Sequence, residues 1–210
     1  MPETRPASSG EKVAFLPVLL RDGPALVLVV VGTLYSVVYF QAYSALPLVM
    51  ARQGISPAVY GLVLAVNGVV ICLVQPLVVR WVERYRPERV YALGMVVLGA
   101  GFAATALART PWQHAGAVTG WTLGEIAVAG VVGALLARRA PEALRGRYLS
   151  LAGLTFAAGA AFGPAVGTRV LDLFGATVLW AGCGGLALVG AVLLLFLPST
   201  DEPRWQPQES

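Results

Sequence analysis

The chain has 210 residues, 57% of them hydrophobic and only 12% charged, with a mean hydropathy of +0.73; an ordinary soluble domain carries about twice that charged fraction and is excluded. Its net charge of +4 comes from arginine, Lys12 being the only lysine, and the arginines fall in short turns between apolar blocks, which marks membrane orientation rather than a nucleic-acid surface. Cys72 and Cys183 lie in separate apolar blocks and His114 is the only histidine, a pattern that offers neither a disulfide framework nor a thiol or histidine metal site.

Residues 1–23 read as a polar, proline-bearing cytoplasmic segment, with a short apolar piece, Val13 to Leu20, that is too brief to span a bilayer. The apolar run that follows is much longer than a signal-peptide core, so it is read as a retained helix. Asp22 or Gly23 caps it and Pro24 occupies its first turn, where a missing N–H does no harm. This first crossing runs to about Met50 and holds Tyr35, Tyr39 and Gln41 at bilayer depth.

Ser56 and Pro57 open the second crossing, which carries Asn67 near its centre and reaches about Val79. A charged turn from Arg80 to Arg89 leads into a third crossing, about Val90 to Ala108, rich in small residues that let helix backbones approach closely. The fourth crossing, about His114 to Ala137, contains one carboxylate, Glu125. After a turn with Arg138, Arg139, Glu142, Arg145 and Arg147 comes a fifth, about Tyr148 to Val170, with an expected kink at Gly163-Pro164 because proline removes a helical hydrogen bond. The sixth runs from about Ala176 to Leu197, and residues 198–210 form a polar tail.

The expected architecture is therefore an all-α membrane protein whose six transmembrane helices fill residues 24–197. With six crossings, twelve basic residues fall on the side of the termini and three, Arg52, Arg109 and Arg169, on the other. The positive-inside rule then puts both termini in the cytoplasm, and the membrane expected is the cell membrane.

A charged carboxylate at mid-bilayer costs at least ~2.5 kcal/mol and is usually turned toward a bundle interior or a watery cavity. Glu125 is accordingly the first candidate for a solute or proton site; the plainer reading is a neutral acid bonded to a neighbouring helix. Tyr35, Tyr39 and Tyr43 recur every four residues and share one slowly drifting face. They form either an aromatic wall for an apolar or cationic solute, with Gln41 as a hydrogen-bonding partner, or ordinary bundle packing. Asn67 is a second polar candidate, or interhelical glue. Arg145 and Arg147 serve as topology signals or as state-dependent ion pairs, and Gly163-Pro164 as a local kink or a gating bend.

Four stretches of the sequence resemble the major facilitator superfamily. They are Tyr39-Phe40-Gln41-Ala42-Tyr43-Ser44-Ala45-Leu46-Pro47, then Tyr60-Gly61-Leu62 through Asn67-Gly68-Val69-Val70, then Leu123-Gly124-Glu125, and last Ala140-Pro141-Glu142 with Arg145-Gly146-Arg147-Tyr148 and Gly163-Pro164-Ala165-Val166-Gly167. The resemblance runs from about residue 14 to 197 and is nearest to the C-terminal six-helix half of the multidrug-exporter-like branch. It departs from the N-terminal half, whose D-R-x-G-R-R signature is replaced by Arg80-Trp81-Val82-Glu83-Arg84-Tyr85-Arg86, and Thr168 and Ser150 depart from the antiporter glycine-proline motif.

That resemblance implies one half of a two-half bundle, with the first and fourth crossings lining a central cavity. It implies secondary active, proton-coupled transport of a small solute, a drug-like compound or metabolite, without a cofactor and without enzymatic activity. The candidate site residues, read from their polarity and depth, are Tyr35, Tyr39, Gln41, Asn67 and Glu125 for solute, Glu125 for protons, and Arg145, Arg147, Gly163 and Pro164 for conformational change. The partners expected are the lipid bilayer, a small-molecule solute, and either a second six-helix half or a second copy. A gene fragment, a split-transporter subunit and a homodimerising half-transporter all fit the length. Two rival readings exist: a rhomboid-like protease, for which the sequence has neither a G-x-S-G nucleophile nor a membrane histidine, and a non-transporting interaction subunit or inactive remnant.

Overall fold

The computed structural model describes residues 15–82, 84–129 and 131–197, without the side chains of 79–82; the expectations for residues 1–14 and for the tail 198–210 lie outside it. The described residues form helices and connecting turns with no strand. In order they are α1 (Phe15–Arg21), α2 (Gly23–Tyr39), α3 (Ala45–Arg52), α4 (Pro57–Val82), α5 (Pro87–Ala104), α6 (Pro111–Ala129) and α7 (Val131–Arg139). A final helical stretch, Arg145–Leu195, is broken at Gly175 into α8 (145–174) and α9 (176–195).

Five stretches are long and apolar enough to cross a membrane. The last of them, Glu142–Leu195, has 54 residues, roughly 80 Å of helix against a ~30 Å hydrocarbon core. It therefore makes two crossings, and the bundle is a six-crossing all-α membrane protein. Gly175 makes the reversal possible: its φ of 83° is open to glycine and strained for side-chain-bearing residues.

Three boundaries differ from the sequence reading. The first crossing is not one continuous helix but α2, a 3-10 turn at Phe40–Ala42, and α3. Pro47 explains the break, since its ring clashes with the carbonyl four residues back, at Tyr43, and offers no N–H in return. Side chains meet the carbonyls exposed there: Gln41 Nε2 donates to Val37 O at 2.8 Å, Ser44 Oγ to Phe40 O at 2.8 Å, and Tyr60 Oη to Ala42 O at 3.0 Å. The second difference is that α4 continues to Val82, into the stretch read as a charged turn. The third is that α8 passes through Gly163 and Pro164 with helical dihedrals, and the backbone leaves the helix only at Gly175. Membrane helices tolerate such a proline, which here frees only the Ala160 carbonyl four residues back; separately, Gln41 Nε2 reaches across from the first crossing to Gly163 O at 2.9 Å.

Two glycine seams set the closest packing. On α8, Gly159, Gly163 and Gly167 stand one turn apart against the first crossing, and a Cβ on Gly159 would run into Ser36, one on Gly167 into Gln41. On α5 and α6, Gly94, Gly101 and Gly124 bring backbone against backbone. Around these seams pack Trp121, stacked on Phe102 at 5.2 Å between ring centroids, and Trp180, 6.2 Å from Phe102. The outer faces stay apolar: Leu62, Leu73 and Leu77 on α4 and Phe162 on α8 are each about two-thirds exposed. In water such a surface would aggregate, whereas lipid or a partner helix covers it.

Candidate functional site

Glu125 lies midway along the fourth crossing, Pro111–Arg139, and is only 8% exposed. Thr122 precedes it by three residues and so shares its face of α6. From α4, Asn67 Nδ2 donates to Glu125 Oε2 at 2.7 Å and to Thr122 Oγ1 at 3.0 Å. Thr122 in turn donates to the Val118 carbonyl at 2.6 Å. One amide therefore ties the second crossing to the fourth and holds the carboxyl in place.

The carboxyl borders a cavity of about 260 Å³ whose walls come from four crossings. Gly32, Tyr35, Ser36 and Tyr39 come from α2, Tyr91 from α5, and Thr155 and Phe156 from α8. Tyr35 and Tyr39 stack at 5.7 Å with their planes 21° apart. The Tyr39 and Tyr43 hydroxyls meet at 2.9 Å. Small-molecule sites usually enclose roughly 300–1,000 Å³, so this cavity is at the small end.

The structure thus brings together Tyr35, Tyr39 and Glu125 around one cavity, with Asn67 bonded behind the carboxyl. Gln41 does not line it: its amide is committed to the Val37 and Gly163 carbonyls, and its oxygen accepts from Ser44 Oγ at 3.3 Å. Gly163 belongs to the seam between the first and fifth crossings, with Pro164 beside it. Arg145 and Arg147 are exposed at the start of α8 and make no ion pair among the described residues. Among the described residues, Arg52 pairs with Asp172 at 2.6 Å on an exposed surface, and Arg139 with Glu88 at 3.8 Å between two buried side chains.

Tyr91 carries no signal in the sequence that marks it as a site residue. It stands one position into the third crossing, beside a basic turn, where a tyrosine reads as an interfacial aromatic. In the fold it is fully buried, lines the Glu125 cavity, and its hydroxyl has no hydrogen-bond partner among the described residues. An unpaired buried hydroxyl costs about 1–3 kcal/mol, which a solute group could recover. Tyr91→Phe is therefore expected to leave the melting temperature unchanged or raise it. A variant that melts lower than the wild type would show that the hydroxyl is already bonded.

Residues 25–210 match the sequence profile described as Major Facilitator Superfamily. The chain is 24% identical over 162 residues to a protein of Planococcus maritimus described as a Na(+), Li(+), K(+)/H(+) antiporter, a match covering 70% of this chain and 38% of that one. It is 28% identical over 170 residues to an uncharacterized MFS-type transporter, YqjV, of Bacillus subtilis strain 168, covering 78% of this chain and 41% of the relative. The chain thus spans about two-fifths of the length of the curated relatives it matches.

Proposed function

The chain belongs to the major facilitator superfamily, and on that premise we propose that it supplies one six-helix half of a proton-coupled secondary transporter for a small solute. The observation that carries the reading is Glu125, a single carboxyl held by Asn67 at the middle of a crossing and opening on a tyrosine-walled cavity. A carboxyl is the one group there that can take up and release a proton within the ordinary pH range, and buried acids on membrane bundles commonly serve proton relays. Tyr35, Tyr39 and Tyr91 form the face against which solute rests, with Asn67 orienting the carboxyl. Gly163 and Pro164, helical in this structure, give α8 a weakened point at which it bends in the other state, where Arg145 and Arg147 pair with acidic groups.

The cavity's other wall comes from a complementary half, either a second six-helix bundle or a second copy of this chain. The exposed leucines of α4 and the exposed aromatic of α8 fit such a partner. The chain sits in the cell membrane with its termini in the cytoplasm, as its arginine distribution favours. Proteoliposomes test this directly. The chain with its complementary half is expected to move protons when a solute gradient is applied, and the monomeric 210-residue chain alone to move none. Robust solute flux by the isolated monomer would overturn the half-bundle reading; absent proton movement by the pair would overturn the coupling.

A second solute class has specific support. Glu125 presents carboxyl oxygens at the cavity, hard donors of the kind that suit hard cations, and one relative is described as a Na(+), Li(+), K(+)/H(+) antiporter. Sodium and potassium gradients therefore belong beside organic solutes in the same assay. A chain that pairs with its partner yet moves no solute and no ion would instead be a non-transporting subunit.

A further inference from the structure

A second cavity, of about 270 Å³, shares no lining residue with the one at Glu125. It lies between the start of α5 and the end of α9 and is lined by Arg86, Glu88, Arg89, Leu194, Leu195 and Leu197. Arg86 and Arg89 are exposed, and neither makes an ion pair among the described residues. Glu88 does not cancel them. Its side chain is buried, and its Oε1 lies 3.8 Å from Nη2 of the equally buried Arg139, so its charge is answered from inside the bundle. Among the described residues, the mouth holds two arginines that make no ion pair.

The opposite wall has a different character. Leu194 is buried, while Leu195 and the adjoining Phe196 are 68% and 81% exposed at the last turn of the sixth crossing. A cationic mouth set against an apolar helix end, at the edge of a membrane-spanning bundle, matches a ligand with two parts: an anionic phosphodiester and an acyl chain. Guanidinium groups bind phosphate oxygens in a paired, bidentate fashion, and basic pockets at helix ends hold acidic lipid headgroups. Free phosphate would gain nothing from the leucine wall. A zwitterionic headgroup would bring its own cation against the arginines. We infer that this cavity is a binding site for an anionic phospholipid, with Arg86 and Arg89 on the phosphate and the Leu195–Phe196 end of α9 along the acyl chain.

The test uses the purified, delipidated 210-residue chain, read by native mass spectrometry and by thermal melting with phosphatidylglycerol, phosphatidylcholine or inorganic phosphate added. Phosphatidylglycerol is expected to remain bound and to raise the melting temperature, while the other two do neither. Arg86→Gln with Arg89→Gln is expected to cut bound phosphatidylglycerol by about tenfold or more, with a lipid-free melting temperature equal to that of the wild type. Arg138→Gln with Arg145→Gln removes the same charge from two other exposed arginines and is expected to retain the lipid. Equal retention by both double variants, equal loss from both, or equal stabilisation of the wild type by phosphatidylcholine or by inorganic phosphate would overturn the assignment. The wild-type comparison decides even if a variant misfolds.

Discussion

Replacing Glu125 by glutamine is expected to reduce proton-coupled flux by at least about a hundredfold, a loss of roughly 2.7 kcal/mol of transition-state stabilisation, while leaving expression and melting temperature unchanged. The two side chains have the same shape, and glutamine's carbonyl oxygen can still accept from Asn67 Nδ2, which stands 2.7 Å from the carboxyl. The tie between the second and fourth crossings therefore survives, and only the capacity to take up and release a proton is lost. The flux is measured in proteoliposomes carrying the chain with its complementary half, with pH varied on one side. Wild-type flux should follow pH and the variant's residual flux should not. A variant whose flux and pH response match the wild type would remove Glu125 from the coupling machinery and leave it as interhelical glue.

The largest structural effect is expected one residue earlier. A Cβ on Gly124 would meet the Leu98 backbone nitrogen, the Gly94 carbonyl oxygen at 2.5 Å and Leu98 Cβ at 2.6 Å. Two of those three atoms are backbone, so they cannot turn aside as a flexible side chain would. Gly124→Val must push α5 and α6 apart, and overpacking of this kind costs about 1–3 kcal/mol or more, out of a total stability of only about 5–15 kcal/mol. The expected readouts are a lower melting temperature and a shift toward aggregate on size-exclusion chromatography. Gly116→Ala, on the same helix but with nothing within 4 Å of the added carbon, should behave as the wild type. Because Gly124 adjoins Glu125, the same displacement would pull the carboxyl away from Asn67, so any Gly124→Val protein that folds should also lose flux. Equal melting of Gly124→Val and wild type would mean that the seam is looser than described.

Glu125 shows how much of the site the sequence carries. A lone carboxylate in an apolar block is costly enough to stand out without any coordinates, and it borders the cavity. Tyr35 and Tyr39 also reach that cavity, because a four-residue spacing keeps both on one helical face. Gln41 has the same mid-membrane polarity yet is turned to a different task. Its amide bonds the Val37 carbonyl beside the 3-10 turn and the Gly163 carbonyl of α8, and nothing in its own sequence position distinguishes that from solute binding. Tyr91 shows the reverse case, a residue beside a basic turn that packing draws fully inside.

Composition, arginine placement and the length of the apolar blocks suffice to specify a six-crossing helical membrane bundle and its most costly polar residue. Those are properties of single segments against lipid, where each helix must satisfy its own backbone and each charge its own desolvation. Which faces meet is a property of pairs. The seams at Gly124 and Gly159, the use of Gln41, the buried pair of Arg139 with Glu88 and the cavity between Tyr91 and Glu125 all arise from contacts between helices far apart in the chain. Only the tertiary structure decides them, because a helix's periodicity fixes which residues share a face and leaves open what that face will touch.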